Sequence, residues 1–297
     1  MTGPSETVAP NNLKGALFLS ISAAVFTCEV ILFRLASDEA STAQMMFFRA
    51  LAQLLIGTIM VAVTAGGTFR TRHPGLQITR GLTSLAVWYL YYVSFMVLDL
   101  ALATTLTFSA SLFVVVLAAP VLGEQVGLPR WIATLVGFAG VVIATGVSTS
   151  GFDPYVLIGL ASAALAAVLV LLNRVLARTE KTATIMFYIG VVVMLGTTPV
   201  AVYDWHPVSA GTLAMLAVAG LIGAGGMWLT IEAYRAGEVS ALAPFPYLRI
   251  LFAVAGGILV FAEWPAVNTL VGMAVIVVST IYITRSERRR GLAVPQR

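Results

Sequence analysis

The chain has 297 residues, is 59% hydrophobic and carries only 10% charged residues, against about 25% in soluble globular domains, so its main solvent is lipid. The formal net charge is +4, but the basic residues sit in short loops between apolar runs, which excludes a nucleic-acid-binding surface. The runs are continuous and one bilayer crossing long as helices, without the polar–apolar alternation of a membrane β-barrel.

Residues 1–13 form a polar tail without the basic start of a signal peptide. The first span, 14–34, is too long for a signal-peptide core and reads as a retained helix. It contains Ser22, the single cysteine Cys28 and Glu29, and it ends at Arg34. One cysteine permits no internal disulfide. The second span, 43–65, places Arg49 inside "MFFRALAQLL". An arginine at bilayer depth is costly and marks a functional or paired position.

The third span, 77–97, contains "AVWYLYYVSF". Trp88, Tyr92 and Phe95 fall at i, i+4 and i+7, on one helical face. Such rings suit cation–π or stacking contacts with a substrate, and equally suit helix packing. The fourth and fifth spans cover 100–122 and 130–147. The sixth, seventh and eighth cover 154–174, 183–203 and 211–234. "GLIGAGG" in the eighth favours close helix packing, and Glu232 lies near that span's end. The ninth, 239–261, holds "PFPYLRILF", with Tyr247 and Arg249 beside two prolines that remove backbone donors. The tenth covers 265–284, and residues 285–297 form a basic tail.

Placing the N-terminus in the cytoplasm puts 14 of the 17 basic residues on the cytoplasmic side and only Arg34 on the other. Arg49 and Arg249 remain within spans. The positive-inside rule therefore expects a multi-pass protein of the inner (plasma) membrane with both termini cytoplasmic.

The sequence also repeats. A shift of 139 residues lays "FMVLDLALA" (95–103) on "YRAGEVSAL" (234–242) and Glu124 on Glu263. A shift of 140 lays Arg34 on Arg174 and "MFF" (46–48) on "MFY" (186–188). Residues 14–147 and 148–284 are thus two five-span halves. Five is odd, so the second half enters the membrane inverted, an arrangement common in secondary transporters.

Three elements resemble the drug/metabolite transporter superfamily and its EamA-type exporters: the arginine of "FFRAL", the doubled signature at 94–124, and the Gly-rich fifth and tenth spans. Amino-acid exporters of the YddG kind are the most similar in the aromatic third span. The resemblance implies an all-α integral membrane fold, with ten transmembrane helices as two inverted five-helix repeats around a central cavity. It implies peripheral fifth and tenth spans and export of small metabolites. Pro120 departs from it, because Leu259 stands at the repeat position.

Within that frame Arg49 and Glu29 sit at similar depth on antiparallel neighbours. They form a structural pair, or Arg49 receives a substrate carboxylate while Glu29 offers proton coupling, or Arg49 snorkels to the interface. Arg249 is near mid-span, with Glu232 as a candidate partner, and Ser22 offers a neutral hydrogen bond. The expected function is secondary transport of small amphipathic metabolites, amino acids foremost and aromatic ones included. The alternative is a multidrug exporter of organic cations. An intramembrane enzyme is disfavoured because all four aspartates lie in loops or turns. No P-loop, metal motif or cofactor motif is present, so the expected partners are a small-molecule substrate and lipid. Reporter tags at both ends should be protected from outside reagents in intact cells; exposure of either end contradicts this topology.

Overall fold

The computed structural model describes residues 11–63, 68–122, 127–145, 153–176, 179–236 and 245–293. Among them the chain is all-helical: α1 (Asn12–Leu35), α2 (Thr42–Val63), α3 (Pro74–Val97), α4 (Leu100–Phe108), α5 (Ala110–Leu122), α6 (Leu128–Ala144), α7 (Pro154–Leu176), α8 (Thr182–Tyr203), α9 (Ala210–Ala236), α10 (Leu248–Phe261) and α11 (Val267–Ala293). The fourth crossing is broken at Ser109 into α4 and α5, and a 3-10 turn at Phe245–Tyr247 opens α10, so the eleven helices make ten crossings. Glu124, Pro244 and the edges of several spans lie outside the described residues.

Side chains such as Leu17, Leu55, Leu135 and Leu195 are exposed around the bundle. A soluble protein rarely shows so much apolar surface; here it is the face offered to acyl chains. Polar side chains, Gln77, Arg80 and Ser84, interrupt the apolar run of α3 and are buried there.

In lipid, helices associate through packing and buried polar contacts rather than through the hydrophobic effect. The pairings follow the repeat. α1 packs on α9 as α7 packs on α3, and α2 packs on α9 as α8 packs on α3. α2 meets its own mate α8, and α6 meets its mate α11. Individual bonds repeat as well. Ser22 donates to the Gly226 carbonyl at 2.8 Å, and its mate Ser162 donates to the Val87 carbonyl at 2.9 Å. Phe108 and Tyr247, related by the 139-residue shift, stack on each other with ring centres 5.1 Å apart. The pseudo-twofold axis therefore runs between them.

The loops obey the same rule. Glu39, after α1, accepts the Ser209 N–H at 2.7 Å, at the end of the bundle where α1 finishes. Glu180, after α7, accepts the Arg72 N–H at 2.8 Å and the Thr71 hydroxyl at 2.6 Å. The Ser209 N–H holds the Glu39 carboxyl below its ordinary pKa. Burial pulls the Glu180 carboxyl upward, but hydrogen bonds from Thr71, Arg72 and His73 outweigh it and the net shift is down.

Glycine lets the two halves approach closely. A β-carbon on Gly190 of α8 would stand 2.6 Å from the Leu54 Cα of α2, and one on Gly57 would stand 3.0 Å from the Phe187 backbone. Backbone cannot yield as a flexible side chain does. Gly190→Ala should therefore cost about 1–3 kcal/mol and lower the melting temperature in detergent. Gly75→Ala, which meets nothing within 4 Å, should leave the melting temperature unchanged.

Candidate functional site

α1 and α2 run antiparallel and bring Glu29 and Arg49 to the same depth, where they form a buried ion pair. Tyr92, from α3, closes the triangle: Arg49 donates to its hydroxyl at 3.2 Å, and that hydroxyl donates to Glu29 at 3.2 Å. Trp88, one turn earlier, lays its ring 4.3 Å from the Arg49 guanidinium carbon. Both charges are therefore compensated locally, which is the condition for keeping them out of water. One donor, the Arg49 Nε, is buried without an acceptor. Gly223 of α9 lies directly behind the pair, and a β-carbon there would collide with Glu29 and Arg49. The second half thus seals a charge pair that belongs to the first.

Arg249 stands differently. Its guanidinium donates to the Tyr91 hydroxyl at 3.0 Å and lies 5.4 Å from the rings of Phe26 and Tyr91. Among the described residues it forms no ion pair with a carboxylate.

Two cavities meet at this arginine. An inner chamber of about 240 Å³ is lined by Glu29, Arg49, Trp88, Tyr91 and Tyr92. A vestibule of about 280 Å³ is lined by Leu19, Ser22, Phe108, Thr230 and Pro246. Phe26, Thr107 and Arg249 line both and form the neck between them.

The remaining candidates separate accordingly. Ser22 faces the vestibule and hydrogen-bonds with Thr230 and Gly226. Phe95 is fully buried against Tyr91 and Tyr92 and lines neither cavity, so only Trp88 and Tyr92 of the three-ring face reach the chamber. Tyr247 stacks on Phe108 beside the vestibule, and half-buried Glu232 borders neither cavity. Phe26 was the residue hardest to foresee. Phe26 is an ordinary apolar residue of an apolar helix, and only its place opposite Arg249 sets it apart.

At the end where α1 finishes, Arg34 forms an ion pair with Glu263, and its guanidinium lies 4.7 Å from the Phe261 ring. Glu263 also accepts the Leu100 N–H at 3.0 Å. It thereby caps α4, whose own N-cap residue, Asp99, makes no side-chain cap. Three helix ends are bound in one knot there. The vestibule lies toward the opposite end of the bundle, between the first half of α1 and the last part of α9. Arg80 differs from the sequence expectation of a loop charge: it is buried within α3 and donates to Ser84 at 3.3 Å.

The EamA-like transporter family model matches residues 13–146. The chain carries an EamA-like transporter domain. The resemblance to the drug/metabolite transporter superfamily is thereby borne out, and the protein is a multi-pass membrane transporter of that type. An S-adenosylmethionine uptake transporter of Rickettsia conorii is 29% identical to it, over 82% of this chain and 83% of its own. A riboflavin transporter of Rhizobium johnstonii is 28% identical over 74% of both. A pseudopaline exporter of Pseudomonas aeruginosa is 28% identical over 93% of this chain and 98% of its own. A solved crystal structure superposes with a TM-score of 0.60 at 19% identity, covering 92% of this chain and 98% of the other, a likeness of fold.

In the EamA-like bundle the Glu29–Arg49 pair should be most costly to break from one side. Glu29→Gln, which strands a buried guanidinium, should destabilise the protein by about 3–5 kcal/mol. Glu29→Gln/Arg49→Gln should recover most of that loss, as read from melting temperatures in detergent.

Proposed function

We propose that this protein is a secondary transporter that exports small amphipathic metabolites bearing a carboxylate, amino acids foremost and aromatic ones included. Transport proceeds by alternating access, with the halves 14–147 and 148–284 as the moving units. Both termini lie in the cytoplasm of the inner membrane, so the vestibule opens inward and the Arg34–Glu263 knot closes the outer end.

One observation carries the reading: Arg49 already has its carboxylate, whereas Arg249 lines both cavities and, among the described residues, has a tyrosine hydroxyl and two aromatic faces beside it but no carboxylate. A cation in that setting attracts an anionic group. A carboxylate can take two guanidinium hydrogen bonds, while Trp88, Tyr91 and Phe26 offer faces to an aromatic or cationic remainder. The named relatives move varied small molecules and in both directions, so they support transport and leave the cargo to the site. Organic cations fit less well, because Glu29, the one carboxylate lining the chamber among the described residues, is already engaged by Arg49.

Arg249→Ala, assayed in proteoliposomes with labelled amino acids, should lower flux by at least about tenfold while the purified protein keeps its elution profile. Arg249→Lys should restore part of it, since a lysine keeps the charge but loses the fork. Full flux in the alanine variant, or flux of quaternary ammonium compounds in preference to amino acids, contradicts the proposal.

A further inference from the structure

Phe26 occupies an unusual position. It sits on α1 at the junction of the two cavities, with the Arg249 guanidinium 5.4 Å from its ring and the Arg49 guanidinium 6.0 Å away. Its ring is therefore flanked by the compensated cation of the chamber and the uncompensated cation of the neck. Thr107 also lines both cavities, with its hydroxyl bonded to the Thr104 carbonyl at 2.7 Å. Of the three side chains the cavities share, Phe26 is the one large apolar group. Behind the ring lies Gly226 of α9, where a β-carbon would approach Phe26 to 3.2 Å. That glycine gives the ring its room to stand back.

We propose that Phe26 is the specificity-determining partition of the transport site. It divides a chamber of about 240 Å³ from a vestibule of about 280 Å³ and so limits the length of cargo bound at Arg249. The inference rests on the carboxylate reading above and adds to it a size limit. With the carboxylate at the neck, the rest of the cargo must fit on one side of the ring. The chamber alone is below the usual range for ligand sites, about 300–1,000 Å³, whereas the two spaces joined fall within it. Removal of the ring joins them. The selected class is accordingly single amino acids, and dipeptides and similarly elongated carboxylates are excluded by Phe26.

The test compares proteoliposome fluxes of labelled alanine, phenylalanine and alanyl-phenylalanine. Phe26→Ala should raise the dipeptide-to-alanine flux ratio about tenfold, the scale on which a pocket discriminates by size, and Phe26→Leu should raise it less. Gly226→Ala pushes the ring into the neck and should change selectivity the other way, lowering the phenylalanine-to-alanine ratio. Size-exclusion profiles establish which variants fold. If Phe26→Ala does not, Phe26→Leu and Gly226→Ala carry the comparison, since one trims the partition and the other advances it. Ratios unchanged within about twofold in folded variants, with wild-type flux present, overturn the partition alone. Absence of wild-type flux for all three probes overturns the carboxylate reading and this inference with it.

Discussion

A charged pair out of reach of water governs this molecule. Glu29 and Arg49 neutralise each other inside the bundle, where either charge alone would be costly to bury, and Tyr92 satisfies one hydrogen-bonding position on each. Three helices of the first half are fixed in register by that triangle. Gly223, from the second half, presses backbone against it. A larger residue would force the halves apart or break the pair. A buried charge pair thus sits within the apolar packing of the bundle, and the inner chamber forms against it.

That centre explains the inequality of the two membrane arginines. Arg49 has a carboxylate, a phenol and an indole face around it. Arg249, at the neck, meets a phenol and two aromatic faces, and no carboxylate among the described residues pairs with it. The bundle keeps one cation compensated and leaves another facing a cavity.

Much of this was legible in the residues. The doubled spacing of Glu124 and Glu263, and of Arg34 and Arg174, announces the repeat, and equal depth on antiparallel neighbours pairs Glu29 with Arg49. The period of the third span brings Trp88 and Tyr92 to the chamber, but the same spacing includes Phe95, which the core absorbs. Periodicity gives a helix face, not the width of the cavity it meets. Arg80 was assigned to a loop because it lies near the start of its span; α3 begins at Pro74 and carries it inward. The Arg34–Glu263 tie and the neck at Phe26 depend on contacts between distant spans, which local spacing does not encode.

The twinned bonds at Ser22 and Ser162 bear on energetics. When a bundle holds the same interaction on both sides of its pseudo-twofold axis, exchanging the roles of the halves replaces each bond by its counterpart. Two arrangements related in this way lie close in free energy, and little work converts one into the other. Any preference between them must come from positions without a twin. Arg249 is one, since Ala110 stands at its 139-residue counterpart. An unmatched guanidinium can therefore tilt an otherwise level balance between the two arrangements.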